Sequence, residues 1–412
     1  MSQLTANTSK KNSVFLLVGI GTSSFGDFIY LVAINILVLQ LTNSAAAVAG
    51  LWIMGPIASI LTKFWSGSLI DRMNKRNLMI AADIFRALLV AVIPFLTSIW
   101  LIYFCLFFLS VAKAFFEPTS MTYITKLIPQ DQRKKFNSFR SLVTSGAFLV
   151  GPAIAGVLLI ISSANVAIWI NAFTFTISAI ILLLLPNLEK NENIAHSKMM
   201  SLTTLKLDWK YVISFSKKNN YIVAVYAIAQ FIMIIALGMD AQEVVFTQKV
   251  LGLSEADFGY LMSITGIGHI AGSLTVSIFS KKISIQQLMG IGYIMVAVGY
   301  LIYAFSFSFL SVAVGFILLG YFNAFCGTGF MTFVQNNVPT DMMGRILSVF
   351  GTFQSVFQIG FILLIGFTGE FLPLRYSIII ASILNMGVSL ALIFLVFRPS
   401  RKIYFSENTL KV

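Results

Sequence analysis

Twelve runs of roughly twenty or more mostly apolar residues follow one another along the chain, near 14–41, 46–69, 77–97, 99–123, 137–162, 165–186, 220–247, 256–280, 286–306, 309–334, 344–368 and 372–397. A helix needs about 20 such residues to cross the hydrocarbon of a bilayer. In lipid every backbone N–H and C=O must find a partner within the protein, which leaves helices and closed barrels as spanning structures. The ten-residue alternation of a barrel strand is not seen. The chain therefore reads as an all-α integral membrane protein with twelve transmembrane helices. Its composition, 58% hydrophobic with only 10% charged residues and a mean hydropathy of +0.89, is too apolar for a water-soluble core.

The net charge of +13 invites a nucleic-acid reading, but the positions of the basic residues point to membrane topology instead. With the N-terminus inside, 22 Lys and Arg residues fall in the inner loops and tails, while only Lys249 and Arg375 fall outside. That is the asymmetry of the positive-inside rule, and it predicts both termini in the cytoplasm of a cell, read as bacterial, with the protein in its plasma membrane. The polar start, 1–12, runs into about 28 apolar residues, far longer than the apolar stretch of a cleaved signal, so it is expected to stay as the first span. Cys105 and Cys326 both lie within spans and are expected to pack as small apolar side chains.

The apolar pattern breaks once, and the break divides the chain into an N-terminal six-helix bundle (1–186), a linker (187–219), a C-terminal six-helix bundle (220–397) and a tail (398–412). In the linker Leu202, Leu205, Trp209, Val212 and Ile213 recur at helical spacing among lysines, the pattern of an amphipathic helix lying on an anionic leaflet. A shift of 210 residues superimposes Pro129, Asp131, Lys135 and Ser138 on Pro339, Asp341, Arg345 and Ser348, which makes the two bundles internal repeats.

Between the second and third runs stand Gly67, Leu69, Asp71, Arg72, Lys75 and Arg76. Their order, a glycine, an apolar residue, Asp-Arg and a basic pair, resembles the loop between helices 2 and 3 of the major facilitator superfamily. The resemblance implies two parallel six-helix halves with a substrate site near the midplane. It also implies a gating role for Gly67, Asp71, Arg72, Lys75 and Arg76, in which Asp71 latches the inner face near the start of the eleventh span around Gly344. A carboxylate is favoured at a helix N-terminus; the alternative is that the basic residues only fix topology.

Charges inside a span cost roughly 2.5–3.5 kcal/mol each on insertion scales and call for an explanation. Asp83 and Arg86 are three apart, Lys113 and Glu117 four apart, so each pair shares a helix face and is able to neutralise itself or to couple ions. Arg140 lies near the start of the fifth span, and Lys63 is able to extend to the interface. Asp27 has no opposite charge three or four residues away. It should sit about 20 Å from the inner surface at ~1.5 Å per residue, and is expected to bind and release protons or to hold a substrate cation, the alternative being a hydrogen bond to a neighbouring helix, with Gly21 and Gly26 letting its helix bend. Asp240 and Glu243 stand three apart, where like charges raise each other's proton affinity or attract a cation; the expectation is that they are hydrated at the outer surface. At the 210-residue shift Asp27, Asp83, Arg86, Lys113, Glu117 and Arg140 all fall opposite uncharged residues, so ion coupling is expected mainly in the first half.

There is no Gly-x-x-x-x-Gly-Lys-Ser/Thr loop, so an ion gradient rather than ATP must drive any uphill step. Gly146 followed by Gly151, Pro152 and Gly156 resembles the Gly-Pro element in the fifth helix of drug/proton antiporters, with Ala155 departing from it. The Ser-Phe-Gly-Asp around Asp27, Phe116-Glu117-Pro118, Ile170-Asn171-Ala172-Phe173 and Leu251-Gly252-Leu253-Ser254 resemble macrolide-efflux and enterobactin-exporter-like members of the superfamily. That likeness implies export of amphipathic small molecules, and Phe28, Tyr30, Phe115 and Phe116 are expected to line the cavity. No enzyme activity, metal, cofactor or nucleic-acid partner is expected; the partners are a small-molecule substrate, protons and lipid, with the monomer as working unit. His269 is read as packed and His196 as solvated. A facilitator importing a nutrient, or a membrane sensor that moves nothing, remains as the alternative.

Overall fold

A computed structural model describes residues 2–62, 70, 73–188 and 202–405. Among them are twelve helices long and apolar enough to cross a membrane. In chain order the long helices are α1 (Ser2–Thr42), α2 (Ala45–Thr62), α3 (Lys75–Val92), α4 (Ile99–Leu127), α5 (Gln130–Ile161), α6 (Ala164–Leu184), α7 (Leu202–Lys218), α8 (Asn220–Asp240), α9 (Glu255–Ile278), α10 (Ile285–Ala304), α11 (Phe309–Asn337), α12 (Thr340–Phe371) and α13 (Leu374–Val396). All but α7 are the spans, and the protein is a multi-pass membrane protein of all-helical class.

Helix starts repeat with the period read from the loops. The first residues of α2, α3, α4, α5 and α6 are 45, 75, 99, 130 and 164, and those of α9, α10, α11, α12 and α13 are 255, 285, 309, 340 and 374, each 210 further on. Pro129 and Pro339 stand immediately before α5 and α12, where a proline disfavours helical geometry in the residue before it and so ends the preceding helix. α12 accordingly starts at Thr340, four residues ahead of the expected 344, because its first turn is too polar to register as apolar sequence. The apolar run predicts a seventh span reaching 247, but α8 stops at Asp240; after a turn the chain resumes as Glu243–Val245 and a π-helical turn, Phe246–Val250. Asp240, Gln242 and Glu243 interrupt the apolar run at the point where the helix breaks.

The chain forms two compact units, residues 1–43 with 50–200, and residues 44–49 with 201–412. In the first, α1 packs against α5 and α6, and α3 against α4 and α6. In the second, α11 packs against α9 and α10, α13 against α8 and α10, and α12 against α8. α7 lies against α8 and α12, with Val212 buried and Ile213 exposed, so only part of its apolar stripe is inside.

Small residues set the closest crossings, as expected where lipid is as apolar as the helix surface. A Cβ on Gly272 of α9 would overlap the Tyr321 carbonyl of α11, and one on Gly320 of α11 would overlap the Thr265 carbonyl. Gly272→Ala should therefore push the two helices apart and cost about 1–3 kcal/mol, read as a lower melting temperature in detergent. Gly327→Ala, with open space where the Cβ would go, should be neutral; equal effects from the two would remove the packing argument.

Candidate functional site

The first unit encloses a cavity of about 610 Å³. Each of its spans contributes: Asp27, Phe28 and Tyr30 from α1, Trp52 from α2, Arg86 from α3, Lys113, Phe116 and Glu117 from α4, Arg140 from α5, Asn171 and Phe175 from α6. Residues that are far apart in sequence thus meet in one polar layer within otherwise apolar walls.

Within that layer the charges sort by partner. Asp83 and Arg86 form an ion pair one helical turn apart on α3, and both are buried. Arg86 is also sandwiched between rings: its guanidinium lies 4.3 Å from the Phe116 centroid and 4.3 Å from that of Phe175, a geometry in which the ring quadrupoles add to the carboxylate's attraction. The pair is not fully satisfied, since Oδ2 of Asp83 and Nε of Arg86 are buried without hydrogen-bond partners. Lys113 and Glu117 pair at 3.7 Å, but their side chains are 59% and 64% exposed, so this pair opens into the cavity.

Asp27 is half-buried at the cavity wall and makes no ion pair among the described residues. Its helix supplies no countercharge, but the tertiary fold brings Arg86 and Lys113 within electrostatic reach, and Asn171 faces it from α6. The acid is therefore less isolated than its own helix indicates, though both nearby cations already hold an acid of their own. The buried Nδ2 of Asn171 and the hydroxyl of Tyr30 lack hydrogen-bond partners. Beside the acid, α1 runs as one continuous helix through Gly26. A Cβ there would overlap Thr174 and Asn171; the glycine is what lets α6 approach Asp27.

The other predicted residues divide. Phe28, Tyr30 and Phe116 line the cavity, whereas Phe115 is buried and does not reach it. Successive helical residues are separated by about 100°, which sends Phe115 into packing when Phe116 faces the void. Gly151 and Pro152 lie on α5, and Gly151 meets α1 so closely that a Cβ would fall 2.7 Å from Cβ of Phe28; Gly156 is buried further along the same helix. The helix-5 motif is thus an α1–α5 contact that sets where Phe28 stands, with the Phe28 ring centroid 5.0 Å from that of Phe148. Sequence reading missed Trp52, whose indole N–H donates to Asn35 at 3.0 Å, and Phe175. The signal for Phe175 was its place one turn beyond Asn171.

Of the signature loop, Gly67, Asp71 and Arg72 lie outside the described residues, as does Lys63. Lys75 is buried and donates to the Met73 carbonyl at 2.9 Å. Arg76 donates to the carbonyls of Leu182 and Leu183, capping the C-terminus of α6, where the helix dipole favours a cation. Cys105 and Cys326 are buried free thiols, and His269 packs against Gly320. Among the described residues no three His, Cys, Asp or Glu side chains cluster as metal ligands.

Comparison with known proteins agrees with this architecture. The chain is 24% identical to the uncharacterized MFS-type transporter YfiS of Bacillus subtilis over 98% of its own length and 96% of that protein's. It is 22% identical to the multidrug efflux pump Tap of Mycolicibacterium fortuitum over 84% and 86% of the two chains, and 27% identical to macrolide efflux protein A of Enterococcus faecalis over 29% and 38%. Among solved structures, the nucleoside transporter NupG superimposes with a TM-score of 0.71 at 14% identity, covering 94% of this chain and 99% of that one, a likeness of fold alone. The family model described as Major Facilitator Superfamily matches residues 16–362 and 248–409, and with twelve spans in a 210-residue repeat the chain belongs to that superfamily.

Proposed function

We propose that this transporter is a proton-coupled exporter of amphipathic small molecules, drug-like, macrolide-like or siderophore-like, working by alternating access. The observation that carries the reading is the cavity in the first unit: an acid without an ion pair, Asp27, set among Phe28, Phe116, Phe175 and Trp52. Aromatic walls take an apolar body, and the polar layer takes the substrate's polar end. A carboxylate held in such a site has no fixed countercharge to lose when it takes up a proton. Likeness to Tap, named as a multidrug efflux pump, supports the outward direction. Asp83, Arg86, Lys113 and Glu117 are the further coupling candidates, and the loop from Gly67 to Arg76 the gate. The basic-residue asymmetry supports a plasma-membrane protein with both termini cytoplasmic, made of two six-helix bundles and a linker, acting as a monomer.

Everted membrane vesicles from cells overproducing the chain decide direction and coupling together. Acidifying the vesicle interior should drive uptake of a hydrophobic dye or macrolide into the vesicles, and collapsing the gradient should release it. Uptake by right-side-out vesicles alone would establish import, and binding without flux in liposomes would establish a sensor.

A further inference from the structure

Asp240 closes α8, and Glu243 opens the short helical turn that follows. Two acids at an outer helix end would ordinarily be left in water, yet Glu243 is only 8% exposed and its neighbour Gln242 is fully buried. Among the described residues neither acid has a basic side chain at ion-pair distance. Arg375 of α13, within electrostatic reach of Tyr303, is already engaged. It donates to the carbonyls of Ala304 and Ser306 at 3.3 and 2.7 Å and lies over the rings of Phe246 and Phe307. Lys249 on the π-helical turn lies toward Glu370, which itself accepts hydrogen bonds from Ser44 and the Ala46 amide.

What faces the two acids instead is a pair of phenols from α10. Tyr300 donates to Oδ1 of Asp240 at 2.6 Å. Tyr303, three residues on and fully buried, has a hydroxyl without any hydrogen-bond partner, within electrostatic reach of Glu243 and Asp240. Burial first, and then the Asp240 carboxylate, push the Glu243 carboxyl well above the usual carboxylate range. Glu243 is out of water, Asp240 is half-buried and neither has a cation, so the two carboxylates resist ionising together. The 210-residue repeat sets Asp27 opposite Leu237 and Asp240 opposite Tyr30; the first spanning helix of each repeat carries an acid, that of the second lying three residues, about 4.5 Å at ~1.5 Å per residue, further along.

We propose that Asp240 and Glu243, framed by Tyr300 and Tyr303, bind one proton in common, giving the second repeat a proton site of its own. An O–H bond forms from a lone pair of one carboxylate oxygen as an O–H bond of a hydronium ion breaks and leaves water behind; the other carboxylate accepts a hydrogen bond from the new hydroxyl, and no oxidation state changes. Of the two readings the sequence allows for these acids, this is the shared proton rather than hydration at the surface, and it adds a part in coupling for the half to which the sequence assigned the lesser share.

The test reads the proton directly and needs no transport substrate. Purified full-length protein in lipid nanodiscs is titrated with pH while the infrared C=O stretch of protonated carboxyl groups is followed. A component that outlasts ordinary carboxyls as pH rises should be lost in Glu243→Gln, moved to a lower midpoint in Asp240→Asn, and kept unmoved in Asp27→Asn. Tyr300→Phe removes the phenol that donates to Oδ1 of Asp240, so it should shift the midpoint upward; it also serves should either acid variant misfold. An unmoved midpoint in Asp240→Asn or in Tyr300→Phe, loss of the component in Asp27→Asn, or its displacement by sodium at constant pH would each overturn the proposal. None of these results bears on the direction of flux, so this site and the exporter reading fail separately.

Discussion

Replacing Asp27 with asparagine should collapse gradient-driven accumulation to equilibrium while leaving passive exchange of substrate intact. One proton crossing 100 mV is worth about 2.3 kcal/mol, and at about 1.4 kcal/mol per factor of ten that supports roughly a fiftyfold concentration ratio. All of it should vanish in Asp27→Asn. The side chain stands at the cavity wall with no ion pair among the described residues, and its neighbouring cations, Arg86 and Lys113, are held by Asp83 and Glu117. Counterflow in proteoliposomes under no gradient supplies the folding control, and Asp27→Glu should restore part of the coupling. Full accumulation by the asparagine variant would take Asp27 out of the proton path.

Asp83→Ala should be the most destabilising single change in the first unit. It strands the Arg86 guanidinium, 4% exposed and clamped between Phe116 and Phe175, and breaking a buried pair from one side costs about 3–5 kcal/mol. Lys113→Ala removes a pair of equal formal charge but wide exposure, where about 0–1 kcal/mol is expected. Thermal unfolding in detergent should separate the two variants by many degrees, and the double variant Asp83→Asn with Arg86→Gln should recover much of the loss. Equal melting temperatures for the two single variants would show that burial does not set the value of these pairs.

Much of this was legible beforehand because the bilayer imposes a length and a solvent on every span. The number of spans and the 210-residue repeat follow from apolar runs and prolines. The ion pairs of α3 and α4 follow from spacings of three and four, since those neighbours on a helix touch whatever else the helix meets. What failed failed at contacts between helices. Phe115 and Phe116 are equally apolar, and only the orientation of α4 sends one to the cavity and the other to packing. At Gly26 the sequence shows a missing side chain but not the neighbour, here Thr174, that fills its place. The bond partners of Arg76, carbonyls 106 and 107 residues away in sequence, leave no trace in the loop's own pattern.

By itself the sequence determined that the chain crosses a membrane twelve times in two related sets, and which charges neutralise each other along one helix, because both are local consequences of length, hydropathy and a 3.6-residue period. Only the tertiary structure decided that Asp27 looks into a cavity with Arg86 and Lys113 in reach, and that Glu243 is buried beside Tyr303 rather than wet. Those outcomes depend on which helix faces lie together, and that is set by the summed packing of side chains far apart in the chain, each contact too weak and too distant in sequence to leave a pattern of its own.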